Sequence, residues 1–70
     1  MRIFDSKDFG VAINKRRKEL GLTQKYISDF TGCSVSFISD LENGKATAEL
    51  GKALMIANIL GLTIEVNERE

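Results

Sequence analysis

The side chains that can do chemistry in this sequence are hydrogen-bonding and charged ones, and most of them fall between positions 24 and 45. Ser34, Ser36 and Ser39 carry hydroxyls that both donate and accept, Asp40 accepts, and Gln24, Lys25, Asn43 and Lys45 flank them. Covalent and metal chemistry lack their parts. With no histidine and one cysteine, Cys33, neither a zinc site nor a Ser/His or Cys/His nucleophile can be assembled, and no internal disulfide can form. The glycines at 10, 21, 32, 44, 51 and 61 are scattered singly, so no phosphate-cradling loop is present. The expectation is a binding protein and not an enzyme, with no cofactor, no metal and no small-molecule substrate.

The elements that must position these side chains read as helices. Asp5 or Ser6 can cap a first helix running to Leu20, with Phe9, Ile13 and Leu20 at helical spacing and Gly21 placed to end it. Thr23 can cap a second helix carrying Ile27, which Gly32 breaks. Ser34 offers an N-cap to a third helix containing Val35, Phe37, Ile38 and Leu41, closed by Asn43-Gly44. Two short helices joined by a few residues with a glycine have the helix-turn-helix outline. Thr47 can cap a fourth helix whose Leu50, Leu54, Ala57 and Leu60 share a face, ended by Gly61, and Gly51 inside it suggests close packing against a neighbouring helix. Beyond it Leu62, Ile64 and Val66 alternate with polar residues, the period of a half-buried strand. Its partner is either Arg2-Ile3-Phe4 or the same strand of a second copy.

Seventy residues make one domain whose own core offers modest stability, so help from dimerisation is expected. No apolar run reaches the roughly 20 residues of a membrane span, and the N-terminus lacks the apolar core of a signal peptide, which makes the cytoplasm the default location. The net charge is zero but unevenly placed. Residues 1–25 hold seven Lys/Arg against three Asp/Glu, and residues 26–70 hold three against seven. A local basic patch can still meet phosphate.

The stretch from Leu22-Thr23-Gln24 to Asn43-Gly44-Lys45, with Ile27, Ser28, Gly32, Cys33, Ser34, Ile38 and Leu41 at matching spacing, resembles the lambda-repressor-like, Xre-type helix-turn-helix family. Thr47-Ala48-Glu49-Leu50-Gly51-Lys52, followed by a helix and Thr63-Ile64-Glu65-Val66, looks like its HipB-type branch of antitoxin-like regulators. The resemblance implies an all-α bundle of four to five helices over residues 1–61. It also implies a dimerisation strand and tail over 62–70 that uses Leu62, Ile64 and Val66. A homodimer on a palindromic DNA operator and a HipA-like kinase toxin as a further partner are implied as well, together with an ion pair between Arg17 and Glu42 that fixes the first helix against the third.

The N-terminal part of a recognition helix faces base edges in the major groove, which singles out Ser34, Val35, Ser36 and Ser39, with Asp40 as a further candidate. Ser34 is open to a purely capping role and Asp40 to a solvent-facing one. Gln24 and Lys25, at the start of the second helix, and Asn43 with Lys45, after the third, are the candidates for phosphate. Position 35 is valine where the family often has a basic or amide residue, and the third helix contains no Lys or Arg. The reading that follows is a dimeric operator-binding repressor, the antitoxin of a HipB-like pair; the alternative is an interaction module that keeps the fold without binding operator DNA. Cys33 reads as a small buried hydrophobe or a redox sensor, and an exposed Phe30 would mark a partner surface.

Overall fold

Every helix leaves N–H groups at its start without helical partners, and this chain places an oxygen-bearing side chain at each such point. In the computed structural model, which describes residues 1–69, α1 spans Ser6–Glu19, α2 Gln24–Thr31, α3 Val35–Glu42 and α4 Leu50–Ile59. Glu70, the end of the expected tail, lies outside the described residues. Asp5, and not Ser6, caps α1 by accepting from the Asp8 N–H at 2.8 Å, while the Ser6 hydroxyl donates to the Gly44 carbonyl at 2.8 Å and ties the start of α1 to the end of α3. Thr23 accepts from the Tyr26 N–H at 3.0 Å and Ser34 from the Phe37 N–H at 2.9 Å. The expected cap of α4, Thr47, is displaced by Glu49, whose two carboxylate oxygens accept from the Gly51 and Lys52 N–H groups at 3.1 and 2.9 Å. One carboxylate there satisfies two donors, and its charge suits a helix N-terminus.

The core is built by α1, α2, α3 and α4 together. Ile13, Ile27, Ile38, Ile56 and Leu60 are fully enclosed, with Cys33, Leu41, Ala53 and Ala57 also buried and Phe9, Leu22, Phe37, Ala48 and Leu62 packed against them. Each enclosed Ile or Leu contributes on the order of 1.5–3 kcal/mol relative to exposure. α4 turns Ala53, Ile56, Ala57 and Leu60 inward, leaving Leu50 68% exposed and Leu54 only half-buried, so Ala57 and Leu60 of the expected face are buried and the other two are not. The helix is apolar nearly all round, which makes two faces equally good by pattern, and packing selects the one that brings the two alanines in close. Gly51 sits on the exposed side, where a Cβ would meet only the capping Glu49 carboxylate, so no neighbouring helix explains it.

No β-strand forms among the described residues, which corrects the expected C-terminal strand. Leu62 packs on the chain's own core, Ile64 is 46% exposed and Val66 98%. The terminal segments do approach one another, with the Arg69 guanidinium 6.0 Å from the Phe4 ring centre, yet no backbone hydrogen bonds link residues 2–4 to residues 63–69. Alternation specifies a strand only where an edge supplies a ladder, and none is supplied. No helix among the described residues is long and apolar enough to cross a membrane.

At Gly10 α1 comes close against the C-terminal end of α3. A Cβ there would overlap the Leu41 carbonyl oxygen and lie 2.6 Å from that of Glu42, both rigid backbone atoms. Gly10→Ala is expected to lower stability by about 1–3 kcal/mol through overpacking, read as a fall in melting temperature of roughly 4–8 °C per kcal/mol. An unchanged melting temperature would show that the α1–α3 contact is looser than described.

Candidate functional site

The turn between α2 and α3 is three residues long, and each has a defined task. The Thr31 hydroxyl donates to the Ile27 carbonyl at 2.7 Å and accepts from the Cys33 N–H at 3.1 Å. Gly32 takes φ +81°, a left-handed conformation that an L side chain rarely adopts, while its N–H closes on Ser28. Cys33 then drops into the core as a buried side chain, and Ser34 caps α3. With Ile38 and Leu41 turned inward, the first turn of α3 presents Ser34, Val35 and Ser36 to solvent, Val35 at 40% exposure. Ser34 uses its oxygen as an acceptor in the cap and keeps its O–H free to donate. Ser39 and Asp40 are half-buried further along; the Ser39 carbonyl accepts from the Asn43 side-chain amide at 2.9 Å, and Asp40 lies 3.4 Å from the Lys45 ammonium.

At the other end of α3 the structure brings Glu42 and Arg17 together inside the protein, with side chains 3% and 11% exposed. Arg17 Nε donates to Glu42 Oε2 at 2.7 Å and Nη2 to Oε1 at 2.9 Å, a two-point fork, while Nη1 donates to the Leu22 carbonyl at 2.8 Å. Asn14 and Gln24 complete the set, donating to Oε1 at 2.7 and 3.1 Å. Burial pushes the Glu42 carboxyl toward its neutral form, but the hydrogen bonds from Arg17, Asn14 and Gln24 and the Arg17 charge outweigh it, so its pKa stands below the ordinary 4.5. The hydrogen bonds that Arg17 donates to Glu42, against the opposing effect of desolvation, raise the pKa of Arg17.

Several residues around the turn have partners within the protein. Gln24, a candidate for phosphate, spends one amide N–H on Glu42 and retains a second. Lys25 is exposed and holds Asp29, one turn on, at 2.7 Å. Asn14 was not singled out by sequence reasoning, although its three-residue spacing from Arg17 puts both on one face of α1. Tyr26 and Phe30 stack in the open, ring centres 6.3 Å apart and 18° from parallel, with Phe30 68% exposed. Phe37 is partly buried and lies under the Lys52 ammonium, 5.7 Å from its ring centre.

Comparison with known proteins agrees with this geometry. Residues 13–67 match the family described as Helix-turn-helix. A relative from Sinorhizobium fredii (strain NBRC 101917 / NGR234), described as an uncharacterized HTH-type transcriptional regulator y4mF, is 38% identical over 65 residues, 93% of this chain and 86% of its own. Among solved structures, the protein of the HipB-O4 20mer complex superposes with a TM-score of 0.89 at 21% identity, covering 100% of this chain and 99% of that one. A HipB variant complexed with the O2 20mer gives the same score and identity, covering 97% of that chain. At that identity the likeness shows the fold.

The depressed Glu42 pKa ties stability to acidity. Because the folded carboxyl holds its proton less tightly than the unfolded one, its contribution is complete above the ordinary value of 4.5 and is lost as pH falls through the folded value. Glu42→Gln should be less stable than the parent at neutral pH, with the gap closing as pH falls below the ordinary carboxyl value of 4.5. Arg17→Ala, which strands a buried carboxylate, should cost about 3–5 kcal/mol, while Lys15→Ala and Lys18→Ala change little. Urea titrations across pH check this; parallel stability profiles for parent and Glu42→Gln would contradict it.

Proposed function

This chain belongs to the Xre-type helix-turn-helix family, and from that premise we propose that it is a sequence-specific DNA-binding transcriptional regulator that reads the major groove with α3. The observation that carries the reading is the exposed first turn of α3, a helix held in place by Ile38 and Leu41 and, at its other end, by the buried Glu42. In the proposed complex Val35 meets a thymine methyl, and Ser34, Ser36 and Ser39 exchange hydrogen bonds with base edges. Lys25, Asn43, Lys45 and the remaining Gln24 N–H face the backbone phosphates and fix the register without reading sequence. The description of the Sinorhizobium fredii relative as a transcriptional regulator, and the 20mer complexes of the like-folded HipB chains, support this assignment.

The finer form of the proposal is a homodimer that represses at a palindromic operator, with half-sites about one helical turn, roughly 34 Å, apart. A small core makes association useful to such a chain, and twofold symmetry of the protein would mirror that of the site. An antitoxin role with a HipA-like kinase toxin as partner completes this form. A second reading, an interaction module that does not bind operator DNA, draws on the exposed Tyr26–Phe30 stack and on the absence of Lys and Arg from α3.

Titration of the chain against the duplex upstream of its own gene and against a scrambled duplex separates the two. Tighter binding to the upstream duplex is expected, and Val35→Ala or Ser36→Ala should relax the preference at one symmetric position by roughly 1–3 kcal/mol. Equal affinity for both duplexes would remove the regulator reading.

A further inference from the structure

Every lysine that the proposed function directs at phosphate is already matched by a carboxylate of its own neighbourhood. The Lys25 ammonium lies 2.7 and 2.8 Å from the two oxygens of Asp29, and the Lys45 ammonium 3.4 Å from Asp40. All four side chains are between 47% and 72% exposed, so the pairs sit in water and open readily. What the carboxylates cancel is charge, not reach. Seen from beyond a Debye length, about 8 Å at physiological salt, each pair is close to neutral.

Helix stability gives little reason for these two aspartates. Asp29 lies in the last turn of α2 and Asp40 in the last turn of α3, where the negative end of the helix dipole disfavours an anion. The Lys25–Asp29 pair also runs in the less favourable direction, with the cation N-terminal to the anion. Neither residue touches the buried Glu42 group.

We propose that Asp29 and Asp40 set the electrostatic affinity of this protein for DNA by holding Lys25 and Lys45 in ion pairs, so that docking exchanges a carboxylate for a phosphate. This rests on the DNA-binding reading above. A free lysine that meets a phosphate releases a condensed counterion and gains affinity that falls with salt. A paired lysine leaves behind a carboxylate beside the polyanion, which takes up a cation from solution and offsets that release. The consequence is weak sequence-independent binding and a shallow salt dependence, with base-edge contacts from α3 carrying a larger share of recognition.

The test measures affinity of the full chain for its upstream duplex and for a random-sequence duplex between about 50 and 200 mM salt. It compares the parent with Asp29→Asn, Asp40→Asn, the double variant Asp40→Asn/Lys45→Gln, and Glu65→Gln. The last removes one negative charge from an exposed residue that forms no ion pair among the described residues. Thermal melts accompany each variant, and the two Asn variants should melt no lower than the parent. Each of them should steepen the salt slope by about 0.9 per subunit and tighten binding to the random duplex at low salt severalfold. Adding Lys45→Gln to Asp40→Asn should return the slope to the parent's, and Glu65→Gln should leave it unchanged. An unchanged slope in Asp40→Asn, a steeper slope that survives loss of Lys45, or an equal effect from Glu65→Gln overturns the proposal. A parent that prefers its upstream duplex while the Asn variants do nothing removes this inference alone; a parent without preference whose Asn variants gain salt-sensitive affinity removes the sequence-specific reading alone.

Discussion

A carboxylate with only 3% of its side chain exposed has to find its donors inside the protein, and Glu42 finds them on every element that surrounds it. Asn14 and Arg17 come from α1, Gln24 from the start of α2, and the Leu22 carbonyl, in the connection between those helices, accepts from Arg17 Nη1. One end of α3 is thereby fastened to α1 and α2 at once. The close approach at Gly10 belongs to the same arrangement, because any side chain there would push α1 away from the Leu41 and Glu42 carbonyls. At the opposite end Gly32, Cys33 and the Ser34 cap set the angle at which α3 leaves the turn. Fixed at both ends, α3 has a single free face, and that face carries Val35 and Ser36.

Holding and reading are thus assigned to different chemistry. The holding groups are buried, charged and mutually satisfied: no buried side-chain polar atom among the described residues lacks a hydrogen-bond partner. The groups proposed to read DNA are small and mostly uncharged, with Ser34, Val35 and Ser36 exposed and Ser39 half-buried. In a chain of zero net charge proposed to bind a polyanion, several basic residues are in addition engaged by the protein itself. Arg17 serves the Glu42 group, and Arg16 donates to the Leu60 carbonyl at 2.8 Å, closing the end of α4. Lys25 and Lys45 meet aspartates at the surface. Recognition on such a surface leans on short-range contacts more than on long-range attraction.

How much of this was legible before the structure depended on how local each signal is. Thr23 and Ser34 cap the helices their positions suggest, because a cap needs only the chain's own N–H three residues on. Glu49 was passed over for Thr47 because a longer side chain can cap by reaching back to two donors, which a rule built on short polar residues does not anticipate. The face of α4 was read in part: Ala57 and Leu60 are buried as expected, while Ala53 and Ile56 replace Leu50 and Leu54 because its apolar residues mark two overlapping faces and only the packing partner chooses. The alternation at Leu62, Ile64 and Val66 suggested a strand for want of knowledge about its neighbours; Leu62 instead turned to the core. Asn14 and Gly10 acquire meaning only from what α3 brings against them. The Arg17 and Glu42 juxtaposition spans 25 positions and was reached through family resemblance, not through any local pattern.

The central claim, that a buried carboxylate holds a recognition helix whose exposed first turn meets DNA, is tested most directly by amide chemical-shift mapping during titration with the upstream duplex. The account predicts saturable shifts at Ser34, Val35, Ser36 and Ser39 and at the first turn of α2, with the Asn14, Arg17 and Glu42 side-chain and backbone signals nearly unmoved. Shifts confined to Phe30 and the exposed face of α4, or no saturable shift at any ratio of duplex to protein, would contradict it.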